Sequence, residues 1–135
     1  LDTLLQRADI VVCTTGKVGL IKPEQVRRGQ VIFALSNPYP EIDPDVARDA
    51  GAAYAADGAA INNALAFPGI FRGALAVRAC KIEPQMYIAA AEAIAASAGS
   101  DEVVPSPLST SVHDAVTDAV SACATSLGLA NTAEL

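Results

Sequence analysis

The sequence has no tryptophan, one histidine and one methionine, and aromatic residues make up only 4% of its 135 positions. A hydrophobic core must therefore be built from Ala, Val, Leu and Ile, which provide most of the hydrophobic 52%. Positive charge is also scarce, because nine Lys and Arg residues face fifteen Asp and Glu residues, for a net charge of −6. A surface of that sign repels phosphate backbones, so the composition argues against a nucleic-acid partner.

Cysteines and long apolar runs are few. Cys13, Cys80 and Cys123 have neither metal-ligand nor redox spacing, and their odd number argues against a closed set of disulfides. No uninterrupted apolar run approaches the roughly 20 residues that span a bilayer, and no basic segment followed by an apolar one opens the chain. We therefore expect a cytoplasmic protein with free thiols and no membrane partner.

Three short apolar runs alternate with helix signals in the first half of the chain. The expected strands are residues 9–13, 31–35 and 52–56, with helices at 23–29 and 44–51, and the expected later elements are helices at 63–78, 84–98 and 111–127 with an extended piece at 103–104. Strands that alternate with short helices indicate a parallel sheet. The order predicts an α/β fold, the second half of a doubly wound Rossmann-like parallel sheet followed by C-terminal helices.

One strand of this half-sheet lacks a neighbour. In the strand order 3-2-1-4-5-6, the second half begins at strand 4, which pairs with strand 1. If residues 9–13 are strand 4, a hydrophobic edge is left exposed within this chain. The sequence also contains no G-x-G-x-x-G phosphate fingerprint. We therefore expect the chain to be one part of a larger fold.

Small and amide residues follow each predicted strand, at the sheet edge where ligands bind in such folds. Thr15 and Gly16 follow the first strand, Asn37 follows the second, and Asn62 and Asn63 follow the third. A glycine lets a flat ligand approach the backbone, and an amide offers two donors and an acceptor. Three structural explanations stay open: an ordinary turn at Thr15, an Asx-turn at Asn37, and a helix cap at the paired asparagines.

The remaining polar residues predict no catalytic group. His113 is expected to be a satisfied helical side chain, and the carboxylates Glu41, Asp43, Asp45 and Asp49 are expected to complement the dipole of a helix start. No Ser-His-Asp set, Cys-His pair or phosphate-binding loop is visible, and no metal site is predicted. The chain offers binding groups without a general base.

Two segments carry a family resemblance. Residues 32–42 (IFALSNPYPEI) resemble the strand-and-turn motif of malic enzymes, and residues 62–75 (NNALAFPGIFRGAL) resemble the Asn-Asn helix of the same family. Residues 8–24 and 86–94 agree with it, so the likeness covers residues 8–97 well and 103–123 loosely.

The resemblance implies the C-terminal part of the cofactor domain of a bacterial-type malic enzyme. Residues 1–100 would form the distal half of an NAD(P)-binding Rossmann-like domain, and residues 101–135 its C-terminal helical extension. Such enzymes oxidise malate by hydride transfer to NAD or NADP, and a bound Mg²⁺ or Mn²⁺ assists decarboxylation to pyruvate. Their acid–base pair, metal ligands and Gly-rich loop are expected upstream, in the remainder of a parent enzyme that is a homo-oligomer; this chain alone would be inactive.

By the same resemblance, Asn37 and Asn63 would contact malate beside the nicotinamide, with Asn62 as a neighbouring candidate. Thr15 and Gly16 would lie along the cofactor, together with Asn37. The stretch between Gly58 and Asn62 is shorter than in many family members, which leaves contacts from that loop open. NAD and NADP also both stay open, because the residue that reads the ribose belongs to the first half of the domain.

Two alternatives remain. Residues 8–24 also resemble methylenetetrahydrofolate dehydrogenases, although Ser36 to Glu41 do not match that family. The other alternative is a non-catalytic, Ala-rich helical module that dimerises through its apolar faces. Asparagines at the strand ends speak against such a module.

Overall fold

The computed structural model describes residues 1–61, 63–100 and 102–131. The chain divides into two compact units, Leu1–Asn62 and Asn63–Leu135. The first contains the sheet and the second contains the long helices. The proposed division into residues 1–100 and 101–135 concerns the parent domain and stays a prediction.

The first unit contains a three-stranded parallel sheet. Strand β1 (Ile10–Cys13) pairs with β2 (Val31–Ala34), which pairs with β3 (Tyr54–Asp57). Helix α1 (Asp2–Arg7) precedes the sheet, and α2 (Pro44–Asp49) lies between β2 and β3 in the chain. Cys13 is in register with Ala34, and Ala34 with Asp57, so the carboxyl ends of the three strands lie side by side. The predicted parallel sheet is confirmed.

One face of the sheet packs into the core of this unit, and the other does not. Val11 and Cys13 of β1 are buried, whereas Ile10 and Val12 are 62% and 61% exposed. Parallel sheets are usually covered on both faces and flanked by further strands. Among the described strands β1 also pairs on one side only, with β2, so it is the exposed apolar edge that the sequence predicts.

Local hydrogen bonds explain where this unit departs from the predicted elements. The expected helix at 23–29 is a 3₁₀ turn, Pro23–Gln25, because Val26 is extended and the side chain of Gln30 accepts from the Arg27 N–H. The third strand begins two residues later than predicted, since Ala52 N–H is bonded back to the carbonyl of Ala47. Helix α1 has no side-chain cap, so the sequence contained no signal for it.

The second unit packs helix α5 (Thr110–Ser126) against α3 (Phe67–Ala76) and α4 (Pro84–Ala96). The expected helix at 63–78 is split into a 3₁₀ turn, Asn63–Leu65, and α3, in which Pro68 occupies the first turn. Residues 103 and 104 form a bend instead of an extended piece.

Close helix packing decides which side chains of α5 are buried. Its buried line runs through Val112, Val116, Val120 and Ala124, while Ala115, Ala119 and Cys123 are only half-buried. The reason lies in α3, where a Cβ added at Gly69 would lie 2.5 Å from Cγ1 of Val116. The branched valines therefore occupy space that the glycines leave free. In the described residues, none of the helices has the length and apolar character needed to cross a membrane.

Candidate functional site

The turns that follow β1 and β2 are neighbours at the carboxyl edge of the sheet. Thr15 and Gly16 lie in the first turn, and Ser36 and Asn37 lie in the second. Gly16 has a φ of +70°, and no atom lies within 4 Å of a Cβ built there. The backbone at Gly16 is therefore open to a ligand, and a left-handed conformation explains the glycine. The structure brings the predicted residues Thr15, Gly16 and Asn37 to the same edge.

A buried carboxylate joins the two turns. Oε1 of Glu41 accepts hydrogen bonds from the Thr15 N–H at 2.6 Å, the Thr15 hydroxyl at 2.8 Å and the Ser36 hydroxyl at 2.6 Å. The Gly16 N–H in turn donates to Oγ of Ser36 at 2.8 Å. Because the Glu41 side chain is 0% exposed, these bonds replace the water that an ionised carboxylate requires.

The electrostatics of Glu41 follow from these bonds. Burial by itself raises the pKa of this carboxyl, but the hydrogen bonds from Ser36 and Thr15 outweigh it and lower the pKa from 4.5 to about 2. Glu41 is therefore ionised at neutral pH. Burial, and secondarily the Glu41 charge, raises the pKa of the Cys13 thiol, which stays protonated.

Asn37 presents its amide to solvent beside the turn that follows β3. Its Nδ2 donates a long hydrogen bond of 3.4 Å to the carbonyl of Gly58, and the Asn37–Pro38 peptide bond is cis. A Cβ at Gly58 would lie 2.4 Å from the Leu35 carbonyl and 2.7 Å from Asn37 Nδ2, so only glycine fits there. Most of the hydrogen-bonding capacity of the Asn37 amide remains available to a ligand.

The paired asparagines are described only in part. Asn62 lies outside the described residues, and Asn63 is described by its backbone alone, as the first residue of the 3₁₀ turn Asn63–Leu65. Their assignment to a substrate stays a prediction.

The expectation that Glu41 belongs to a helix start is wrong. Asp43 caps α2 by accepting from the N–H groups of Asp45 and Val46, whereas the side chain of Glu41 binds the two strand-end turns. Local sequence carries no signal for this difference, because both carboxylates precede the same helix.

Two further polar side chains, one on α5 and one on α3, have structural partners. His113 Nε2 donates to the carbonyl of Pro107 at 2.9 Å, in agreement with a helical histidine that is satisfied at this nitrogen. Arg72 forms an ion pair with Asp114 at 2.7 Å on the exposed surface. Within the ranges that the structure describes, no group of three His, Cys, Asp or Glu side chains could hold a metal ion.

Comparison with known proteins identifies the family that this chain resembles. Residues 25–128 match the family model described as "Malic enzyme, NAD binding domain". The NAD-dependent malic enzyme 1 of Bacillus subtilis is 58% identical over 120 residues, which cover 89% of this chain and 27% of that protein. The NADP-dependent malic enzyme of Halomonas elongata is 35% identical over 93% of this chain and 36% of its own length.

A solved structure agrees with the sequence matches. The malic enzyme from Pyrococcus horikoshii superposes with a TM-score of 0.87 at 41% identity, over 98% of this chain and 34% of that one. The chain thus spans about a third of the length of such relatives. The match favours the malic enzyme resemblance over the folate dehydrogenase resemblance, and its α/β architecture is that of the predicted Rossmann-like half-sheet. The chain belongs to the malic enzyme family, with residues 25–128 matching its NAD-binding domain.

Proposed function

We propose that this chain is the distal part of the cofactor domain of a parent enzyme that oxidatively decarboxylates malate to pyruvate and reduces NAD or NADP. The observation that carries the proposal is the pair of turns at the carboxyl edge of the sheet. An open glycine backbone and an exposed amide lie there together, in a chain of the malic enzyme family. Relatives named for NAD and for NADP both match, so either cofactor is compatible.

In this proposal, the residues of this chain bind and orient the cofactor and malate. The open space at Gly16 lets the cofactor approach the backbone, and the exposed Thr15 lies beside it. The Asn37 amide can bond a carboxylate of malate and a cofactor group at once, with Asn63 and its neighbour Asn62 as further amide donors. When bound, NAD(P) accepts the hydride.

The metal belongs to the parent enzyme in this proposal. Mg²⁺ or Mn²⁺ would assist the decarboxylation, with ligands from residues outside this chain. The proposed parent is a cytoplasmic homo-oligomer whose other segments complete the site.

The first experiment tests the reaction in the full-length parent enzyme. Malate and Mn²⁺ are supplied with NAD or with NADP, and reduced nicotinamide and pyruvate are measured together. Equal amounts of both products are expected. Reduced nicotinamide without pyruvate would instead indicate a simple dehydrogenase, and no signal from malate would contradict the proposal.

The second experiment tests the amides. We expect Asn37→Ala and Asn63→Ala each to lower kcat/KM for malate by roughly 10- to 100-fold, the value of a hydrogen bond to a charged group. Circular dichroism melting curves should stay close to that of the unmodified enzyme. Gln85→Ala, which removes an exposed amide from α4, is the matched control. Unchanged malate kinetics in both asparagine variants would refute the assignment.

A further inference from the structure

Glu41 is buried at the proposed site, yet none of the roles above uses it. Its carboxylate is 0% exposed, so it cannot touch a ligand directly. All three hydrogen bonds that its side chain accepts converge on Oε1, while Oε2 is buried without a hydrogen-bond partner. Burying a charge in this way is costly unless the arrangement is fully bonded. Filling space alone does not account for such a residue.

The donors to Glu41 come from two different turns. Thr15 contributes its N–H and hydroxyl from the turn after β1, and Ser36 contributes its hydroxyl from the turn after β2. Ser36 also accepts from the Gly16 N–H, which closes a chain of bonds between the turns. These donors are neutral groups, so the negative charge at one point draws the two turns together.

The main chain of Glu41 contacts the same region a second time. Its carbonyl accepts from the Ile21 N–H at 3.1 Å. The segment from Thr15 to Ile21 is therefore bonded at both ends to one residue. By contrast, Asn37 makes a single long bond of its own, to Gly58 at 3.4 Å, and depends on the turn that carries it.

We propose that Glu41 is a positioning residue, which holds the cofactor turn at Thr15 and Gly16 in register with the Ser36–Asn37 turn through bonds at a single carboxylate oxygen. This inference rests on the proposed function, in which the first turn meets the cofactor and Asn37 meets malate. Glu41 acts through Thr15 and Ser36. Loss of its charge should therefore weaken cofactor and malate interactions together.

Amide hydrogen exchange in the ligand-free parent enzyme tests the positioning directly. In Glu41→Gln, exchange at Thr15 should rise by about ten-fold or more, because its N–H loses a charged acceptor. In Ser36→Ala, exchange at Gly16 should rise, because its N–H loses the Ser36 hydroxyl as acceptor. Exchange at Leu35, whose N–H bonds to the Cys13 carbonyl, should stay unchanged. Glu92→Gln, which makes the same charge change on the exposed surface of α4, is the control.

Two results of this experiment would overturn the proposal. One is unchanged exchange at Thr15 and Gly16 in both variants. The other is an equal rise at Leu35, which would make Glu41 a general structural residue of the sheet. The Ser36→Ala variant keeps the proposal testable if Glu41→Gln does not fold.

Cofactor binding provides a second readout that does not require turnover. The dissociation constants of NADH and NADPH, measured by their fluorescence at a temperature at which Glu41→Gln and Glu92→Gln are both folded, should rise about ten-fold in Glu41→Gln alone. The KM for malate should rise in parallel, whereas Asn37→Ala should affect malate far more than the cofactor. An unchanged dissociation constant would overturn the proposal. An unmodified enzyme that binds cofactor but does not convert malate would refute the proposed function alone.

Discussion

The two units of the chain differ in what fills their interiors. The sheet unit buries Gln30, Ser36 and Glu41, whereas the helical unit buries one polar residue, Thr117, among those described. Thr117 donates to the carbonyl of His113 in its own helix, so its hydroxyl contributes nothing between helices. In the sheet unit, by contrast, Gln30 donates to the carbonyls of Leu5 and Ala8 at 2.8 Å each and so ties α1 to the sheet.

This difference separates two sources of stability. The helical unit depends on the volume and closeness of apolar side chains, which do not titrate. The sheet unit depends in addition on polar groups, whose worth changes with pH and with each bonding partner. The turns that are proposed to bind cofactor and malate belong to the unit with the polar interior. Precise placement of a ligand-binding backbone is a task that directional bonds perform better than apolar contact does.

Met86→Ala is the strongest test of whether the helical unit depends on the volume of its buried apolar side chains. Met86 is 0% exposed in α4, so its truncation should cost about 2–5 kcal/mol in the free energy of opening α4 and α5. Ile88→Ala, at a position 58% exposed in the same helix, should cost much less. Native-state hydrogen exchange of the amides of α4 and α5 measures both. A loss that depended on pH between 3 and 7 would break the contrast.

Closeness of packing is tested by Gly73→Ala. A Cβ at Gly73 would lie 2.6 Å from the Thr117 carbonyl oxygen and 2.9 Å from Cβ of Val120. Overpacking of this kind costs about 3 kcal/mol, and the higher helix propensity of alanine returns about 1 kcal/mol, so a net loss of about 2 kcal/mol is expected. Gly73→Ala with Val120→Ala should recover part of it in the same exchange measurement. A stabilised single variant would show that α3 and α5 do not pack this closely.

The buried carboxylate of the sheet unit predicts that the stability of this unit depends on pH. Since the folded pKa of Glu41 is about 2, below its ordinary 4.5, its contribution to stability is fully present above pH 4.5 and is lost as the pH falls toward 2. The difference between 4.5 and about 2 corresponds to a loss of at most about 3 kcal/mol.

The measurement is hydrogen exchange at the amides of β1 and β2 as a function of pH. The rates are corrected for the intrinsic pH dependence of amide exchange. Glu41→Gln should remove this dependence, whereas Asp43→Asn at the exposed cap of α2 should leave it in place. If the two variants gave the same pH profile, the dependence would not come from Glu41.

Much of this architecture could be predicted from local patterns. The apolar run at residues 9–13 marked β1, and the helices expected at 44–51 and 84–98 begin where α2 and α4 begin. These signals depend on neighbours within a few residues, which is why they survive in the fold. The helix expected at 23–29 was wrong because Gln25 and Gln30 satisfy the backbone with their side chains instead.

The candidate site, too, could be predicted from the sequence only in part. That Thr15, Gly16 and Asn37 follow strands is visible in the sequence, and parallel strands place such residues at one edge by topology. The role of Glu41 could not be read there, since its donors lie 26 and 5 residues away along the chain. Nothing near Glu41 in sequence distinguishes it from Asp43, which caps a helix.

By itself, the sequence determined the strand order, the starts of α2 and α4, the exposed edge and the family, because these follow from periodicity, caps and motifs that act over short distances. Only the tertiary structure decided which carboxylate is buried and which valines of α5 meet the glycines of α3. Burial depends on which distant segments come together, and the cost of an unpaired charge or of a misplaced methyl group exists only once they have done so.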